Sequence, residues 1–129
     1  MLKQGWGRII NVGSALSVMG RANIASYVTS KHAIAGLTKS IAAEFGARNI
    51  TCNCIAPGYF NTEINAGLIA TPGFGDAVAN RTTVGRWGEP AELAGAVVFL
   101  ASDASAYVNG HTLLVDGGLT AAYVSPPNV

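Results

Sequence analysis

Charged side chains are scarce in this sequence of 129 residues. Only 12% of the residues are charged, about half the ~25% usual for soluble globular domains, and 50% are hydrophobic. Because disordered chains combine low hydrophobicity with high net charge, the composition excludes disorder and predicts one packed domain over residues 1–129. The net charge is +1, too little for the many phosphate contacts that nucleic acids require. We therefore expect no nucleic-acid partner.

Long hydrophobic runs are also missing. The longest strongly apolar stretch, residues 93–101, is less than half the ~20 residues of a membrane-spanning helix. The first residues lack the basic and apolar regions of a secretory signal. We therefore expect a soluble, cytoplasmic protein with no membrane partner.

The chain contains only two cysteines, Cys52 and Cys54, and they are separated by one residue. On a strand this spacing places both on one face, which is a poor geometry for a disulfide, and it is not the C-x-x-C of redox or zinc sites. We expect two small buried hydrophobes. His32 and His111 have no second ligand at metal spacing, so no metal site is expected.

Three short apolar runs bounded by glycine or proline predict buried strands, over Arg8–Val12, Ile50–Ile55 and 111–115. Helical patterns between them predict helices over 23–45 and 90–101, and two short ones over 62–70 and 75–81. The two long helices are expected to bury these apolar stripes: Ile34, Leu37, Ile41 and Phe45, then Leu93, Val97, Leu100 and Ala101.

Continuous apolar strands that alternate with helices indicate an α/β fold with a parallel sheet covered on both faces. Three strands are few for such a sheet. We therefore expect these residues to be the carboxyl-terminal half of a larger fold. Residues 58–88 are expected to form a mobile loop that shapes the substrate pocket, and residues 124–129 a loose tail.

Ser14, Tyr27 and Lys31 form the most informative group. Ser14 follows the first strand, at the edge where open α/β sheets bind ligands. Tyr27 and Lys31 are four residues apart on one helix face, where the ammonium would favour the ionised phenol as a proton carrier. The spacing alone is weak, because such pairs also occur by chance as exposed neighbours.

Five motifs in the same order resemble the short-chain dehydrogenase/reductase family. They are residues 7–14, Tyr27-x-x-x-Lys31, residues 53–58, residues 86–90 and residues 115–118. The resemblance covers nearly the whole chain, but only the carboxyl half of a family member. It implies a Rossmann-type doubly wound sheet, NAD or NADP as cofactor, a small-molecule substrate, and a full-length form that is a dimer or tetramer.

The resemblance also implies roles for particular residues. Tyr27 would exchange a proton with the substrate oxygen, and Ser14 would hydrogen-bond that oxygen. Lys31 would assist the tyrosine and hold the nicotinamide ribose, and Tyr27 would contact the cofactor as well. A second group would lie at the nicotinamide and its carboxamide: Ile55, Pro57, Gly58 and Thr62. With Ser14 and Tyr27, the expected substrate contacts are Tyr59 and Arg81.

Two features depart from the family's pattern. Gly13 stands where many members have serine. The chain contains no G-x-G-x-x-G, so the glycine-rich pyrophosphate turn and the residues that distinguish NAD from NADP are not found in it.

The loop segments 55–65 and 81–88 are similar to the gluconate 5-dehydrogenase-like branch, which implies oxidation or reduction at a secondary alcohol of a sugar acid. A 3-oxoacyl-carrier-protein reductase shares nearly all of these motifs and remains the alternative enzyme. A hypothesis of another class is a non-catalytic fragment that acts only by association. Polar and cationic loop contacts would favour the sugar acid, and an apolar groove would favour the acyl chain.

Overall fold

A three-stranded parallel sheet organises residues 1–123, the part of the chain that the computed structural model describes. Its strands are β1 (Gly7–Val12), β2 (Ile50–Pro57) and β3 (Thr112–Val115), and they lie in the order β1-β2-β3. β1 pairs with β2 along its whole length, and β3 pairs with the second half of β2. The predicted parallel sheet is confirmed. The predicted tail, 124–129, lies outside the described residues.

Four α-helices connect the strands within the described residues: α1 (Ala25–Phe45), α2 (Ala66–Ile69), α3 (Phe74–Ala79) and α4 (Ala94–Ala101). The same part of the chain contains six short 3-10 helices: Leu2–Gln4, Ala15–Ser17, Gly46–Arg48, Glu63–Asn65, Pro90–Leu93 and Asp103–Ser105. The helix predicted to start at residue 90 thus begins with a 3-10 turn. No helix among residues 1–123 is long and apolar enough to cross a bilayer.

Helices cover both faces of the sheet. Asn11 Nδ2 of β1 donates to Thr38 Oγ1 of α1 at 2.9 Å, and Arg8 pairs with Asp103, just after α4, at 3.2 Å. Side chains alternate between the two faces of a strand, so residues 8 and 11 point in opposite directions. The two contacts therefore place α1 on one face and the end of α4 on the other, as in a doubly wound fold.

The face of α1 that is buried differs from the prediction. Ala35, Thr38 and Ala42 are buried, whereas Leu37 is 50% exposed. Small side chains allow the helix to approach the sheet closely, and they lie one position away from the large apolar ones. The expected stripe was therefore wrong, and its members are half-buried or exposed: Ile34, Leu37, Ile41 and Phe45.

The predicted buried stripe of the last helix was also wrong in part. Leu100 is buried as expected, but Val97 is 43% and Val98 65% exposed, and Ala101 is exposed too. α4 consists entirely of apolar residues and glycine, so the sequence carries no periodic signal that selects one face.

The central strand, β2, is buried along nearly its whole length. Cys52 and Cys54 have no exposed surface, which confirms the prediction of two buried hydrophobes. Burial raises the pKa of both thiols. Asn53, also buried, donates to Val108 O and accepts from the His111 backbone N–H. This amide holds the start of β3 against β2 and so fixes the edge of the sheet.

Candidate active site at the carboxyl edge of the sheet

Ser14 lies directly beyond β1, where the chain leaves the sheet. The backbone N–H of Gly13 donates to Ile55 O at 2.7 Å, which keeps this exit next to β2. The Ser14 hydroxyl accepts from the Leu16 N–H, and Ser17 Oγ accepts from the Ser14 N–H. This reciprocal cap fixes the serine as a hydrogen-bond acceptor. Its hydroxyl proton remains available for a ligand, since it has no acceptor among residues 1–123.

Gly13 is required by the packing around this exit. A Cβ at this position would lie 2.6 Å from Ser17 Oγ and 2.8 Å from Cys54 Sγ. The departure from the serine that many members of the resembled family carry at this position therefore has a steric reason. A side chain at position 13 has no room while Ser17 and Cys54 occupy these positions.

Tyr27 and Lys31 lie in the first two turns of α1. Lys31 Nζ donates to Val12 O at 3.2 Å, so the ammonium is held at the end of β1. The same nitrogen lies 5.5 Å from the centroid of the Tyr27 ring. Tyr27 is 46% exposed and lines the cavity described below. The helical spacing thus brings the lysine beneath the tyrosine.

The chain leaves β2 through Pro57 and Gly58. The Gly58 N–H donates to Val115 O at 3.0 Å, and a Cβ on this glycine would lie 2.7 Å from Asp116 Cα. Only glycine permits this approach of the two strand ends. Thr62, four residues further, is half-buried at the start of a 3-10 turn.

A cavity of about 520 Å³ lies at this edge, and we call it the carboxyl-edge cavity. Its lining brings together five of the predicted site residues: Ser14, Tyr27, Gly58, Tyr59 and Arg81. The other four predicted residues do not line it: Lys31, Ile55, Pro57 and Thr62. Ile55 is buried in β2.

The charge of the cavity is entirely positive among the described residues. Arg21 and Arg81 line it, and no aspartate or glutamate does. Apolar side chains form much of the remaining wall: Leu16, Met19, Ile24, Ile64, Leu68 and Leu119. The arrangement suits a ligand that carries a negative group.

An aromatic cluster stands beside the cavity and consists of Tyr59, Phe74 and Trp87. The Tyr59 ring centroid lies 6.2 Å from that of Phe74 and 5.2 Å from that of Trp87, both edge-on. Trp87 Nε1 donates to Gly75 O at 3.0 Å, which ties the cluster to α3. The cluster holds the two ends of the 58–88 segment together.

The base of this segment is held by an ion pair between Arg86 and Glu92. Both guanidinium Nη atoms donate to the carboxylate, at 2.8 and 2.7 Å. The hydrogen bonds from Arg86 and from the Glu89 backbone lower the pKa of Glu92 from its ordinary value of 4.5 to about 2. The pair is charged over the whole neutral range.

Sequence reasoning missed Arg21 and Phe74. Arg21 Nη1 donates to Tyr59 Oη at 3.0 Å, and its Cζ lies 5.7 Å from the centroid of the Phe74 ring. Neither residue belongs to a periodic pattern or to a motif. The contacts join segments 38 and 53 positions apart in sequence, so no local signal reveals them.

Comparison with known proteins identifies the family. The family model described as enoyl-(acyl carrier protein) reductase matches residues 1–120. The chain belongs to the short-chain dehydrogenase/reductase family. Members of this family are oxidoreductases that use NAD or NADP.

The relatives include enzymes of sugar-acid metabolism. The chain is 46% identical over 120 residues to gluconate 5-dehydrogenase of Gluconobacter oxydans, covering 93% of this chain and 47% of that protein. It is 48% identical over 118 residues to 2-dehydro-3-deoxy-D-gluconate 5-dehydrogenase of Bacillus subtilis, covering 92% and 46%. The chain thus spans about half the length of the curated relatives it matches.

A solved relative shows the same fold. The crystal structure of a gluconate 5-dehydrogenase from Burkholderia cenocepacia, in complex with NADP and tartrate, superposes with a TM-score of 0.91. It is 48% identical in sequence, and the match covers 94% of this chain and 48% of that one.

The described residues fit the nicotinamide end of such a cofactor. Lys31 uses one ammonium proton on Val12 O and keeps two donors for ribose hydroxyls beside the strand ends. The Gly58 turn brings the backbone of both strand ends close together at the same edge. The pyrophosphate end has no counterpart here, because the sequence contains no glycine-rich strand-to-helix turn.

Proposed function

We propose that the protein containing this chain interconverts a secondary alcohol and a ketone of a sugar acid such as gluconate, with NAD or NADP as cofactor. The observation that carries the proposal is the carboxyl-edge cavity, where Ser14 and Tyr27 share the wall with two arginines and no acidic residue among those described. The two arginines can pair with the carboxylate of a sugar acid. The hydroxyls of Ser14 and Tyr27 can hydrogen-bond the oxygen on the carbon that is oxidised or reduced.

Each catalytic residue has a distinct task in this proposal. The Ser14 hydroxyl donates a hydrogen bond to the substrate oxygen. The Tyr27 phenolate takes the proton of that oxygen in the oxidation, and the resulting phenol returns it in the reduction. The Lys31 ammonium stabilises negative charge that develops on the phenol. The nicotinamide, when bound, supplies the hydride acceptor or donor. We assign Pro57, Gly58 and Thr62, together with the backbone of Ile55, to the nicotinamide and its carboxamide.

Tyr59 and Arg81 complete the proposed substrate contacts. Tyr59 lies in the cavity wall as a member of the aromatic cluster, and Arg81 approaches from the turn after α3. A carboxylate paired with a guanidinium gains charge-assisted hydrogen bonds that a neutral polyol cannot form.

The test is NAD(P)H formation by the purified full-length protein with D-gluconate, compared with consumption of NAD(P)H with a 3-oxoacyl thioester. Turnover of the sugar acid supports the proposal. Faster turnover of the thioester would support the second candidate, a 3-oxoacyl-carrier-protein reductase, which the apolar part of the cavity wall favours. Absence of turnover with either substrate would contradict both.

Association is a proposal of a different class. Val97, Val98 and Phe99 of α4 are exposed together. Exposed apolar patches favour contact with other chains. We propose a homo-oligomer, dimer or tetramer, for the full-length protein, which sedimentation of the purified protein tests.

A further inference from the structure

Arg21 occupies a defined position in the wall of the carboxyl-edge cavity although its side chain is exposed. It lies between the turn that holds Ser14 and the start of α1. Its Nη1 donates to Tyr59 Oη at 3.0 Å, and its guanidinium lies over the Phe74 ring with Cζ 5.7 Å from the centroid. Two contacts with residues from a distant part of the chain therefore fix the direction of the side chain.

A guanidinium held in this way is prepared to bind an anion. It has five N–H donors in a planar fork, and the bond to Tyr59 uses one of them. The hydroxyl and the aromatic face that position it are neutral, so its positive charge is not cancelled. Because the side chain is already ordered, less conformational entropy is lost when a carboxylate binds.

Arg81, the other cation of the cavity, lacks this support. Its side chain is exposed and donates no hydrogen bond to any of residues 1–123, although its backbone N–H bonds Val78 O. A flexible arginine attracts anions without fixing where they lie. Arg21 can therefore fix the position of a bound anion, whereas Arg81 cannot.

We propose that Arg21, positioned by Tyr59 and Phe74, is the receptor for the substrate carboxylate and determines the preference for acids over neutral polyols. The inference rests on the proposed function and deepens it. Arg21 shares the cavity wall with Ser14 and Tyr27. A carboxylate bound at Arg21 leaves the hydroxyl-bearing carbons of a short chain facing these two side chains.

The experiment uses the full-length protein, with D-gluconate and with the neutral polyol of the same chain length. Calorimetry gives the Kd of each in the presence of cofactor, and steady-state kinetics give kcat and KM. The decisive variant is Arg21→Gln. Arg48→Gln is the matched control, because Arg48 also stacks on a phenylalanine, with Cζ 5.5 Å from the Phe45 centroid, but lies outside the cavity.

Arg21→Gln is expected to weaken gluconate binding roughly 10- to 100-fold, the range of one or two charge-assisted hydrogen bonds, while polyol binding changes less than about threefold. Arg48→Gln is expected to change neither. Tyr59→Phe keeps the ring and removes the hydroxyl that positions Arg21. We expect it to raise the gluconate KM by a smaller factor.

Equal gluconate affinity in wild type and Arg21→Gln would overturn the inference, and so would a wild type that binds gluconate no better than the polyol. Arg21→Lys is a second variant that distinguishes loss of the charge from misfolding of the glutamine variant. It keeps the positive charge and is expected to recover part of the gluconate affinity. The proposed function fails separately, through absence of turnover. Binding alone still decides the role of Arg21 in that case.

Discussion

Substitution of Gly58 by alanine probes the close approach on which the site depends. The new Cβ would lie 2.7 Å from Asp116 Cα, 2.8 Å from Asp116 Cβ and 3.1 Å from Asp116 O. Ordinary carbon contacts are about 3.5–4.0 Å, and two of these three atoms are backbone. The ends of β2 and β3 would have to separate by close to 1 Å. Overpacking of this kind costs about 1–3 kcal/mol.

Gly67 in α2 provides the matched control, because a Cβ there meets nothing within 4 Å. Alanine in a helix is favoured over glycine by up to about 1 kcal/mol, so Gly67→Ala is expected to leave stability unchanged or to raise it. Urea unfolding of the full-length protein, monitored by circular dichroism, gives both changes in the free energy of unfolding. Because Tyr59 follows directly, Gly58→Ala should also raise the KM for substrate. Equal stability of the two variants would refute the steric argument.

Three further predictions concern the charges and the extent of the chain. Lys31→Ala is expected to raise the cofactor Kd about tenfold and to lower kcat as well, because one ammonium serves both; an unchanged Kd in a fluorescence titration would exclude the ribose contact. The pKa of Glu92 is lowered in the folded state, so the pair with Arg86 stabilises the 58–88 segment above pH 4.5, and this effect is lost as the pH falls towards 2. Glu92→Gln should therefore speed trypsin cleavage in this segment at neutral pH, and equal rates would contradict the role of the pair. The 129-residue chain by itself is expected to bind no dinucleotide tightly, since it lacks the glycine-rich turn; micromolar binding in calorimetry would show otherwise.

The strands, and the placement of Ser14, Tyr27 and Lys31 at one edge of the sheet, could be predicted from the sequence because their signals are local. Continuous apolar runs bounded by glycine or proline gave all three strands, and the four-residue spacing of Tyr27 and Lys31 placed both on one helix face. The position of Ser14 just after a strand placed it at the edge where the cavity lies. Each of these inferences needs only neighbours in sequence and a standard backbone geometry.

The buried faces of the helices could not be predicted in the same way. On α1 the contact with the sheet is made by Ala35, Thr38 and Ala42, because the distance of approach, and not side-chain hydrophobicity, decides which face packs. Thr38 can be buried because its hydroxyl donates to Ile34 O on the same helix and accepts from Asn11 Nδ2, a partner 27 positions away.

Only one of the two arginines in the cavity wall could be predicted from the sequence, for a similar reason. Arg81 lies within the expected substrate loop and is one of the expected substrate contacts, whereas Arg21 acquires its position from Tyr59 and Phe74, which come from a different segment. A contact between two loops depends on how both loops are placed in the folded protein, so neither loop's sequence predicts it alone. Such residues are found only once the cavity is known.

The central claim is that the Tyr27 phenol exchanges the proton of the substrate oxygen in the carboxyl-edge cavity. The most direct test is kcat for gluconate oxidation by Tyr27→Phe, measured together with the cofactor Kd. The ring is retained and the hydroxyl bonds none of residues 1–123, so the variant should fold and bind cofactor as the wild type does. We predict a loss of about 100- to 10,000-fold in kcat, the usual contribution of a general acid or base, with the Kd unchanged. A Tyr27→Phe enzyme with normal kcat would contradict the account.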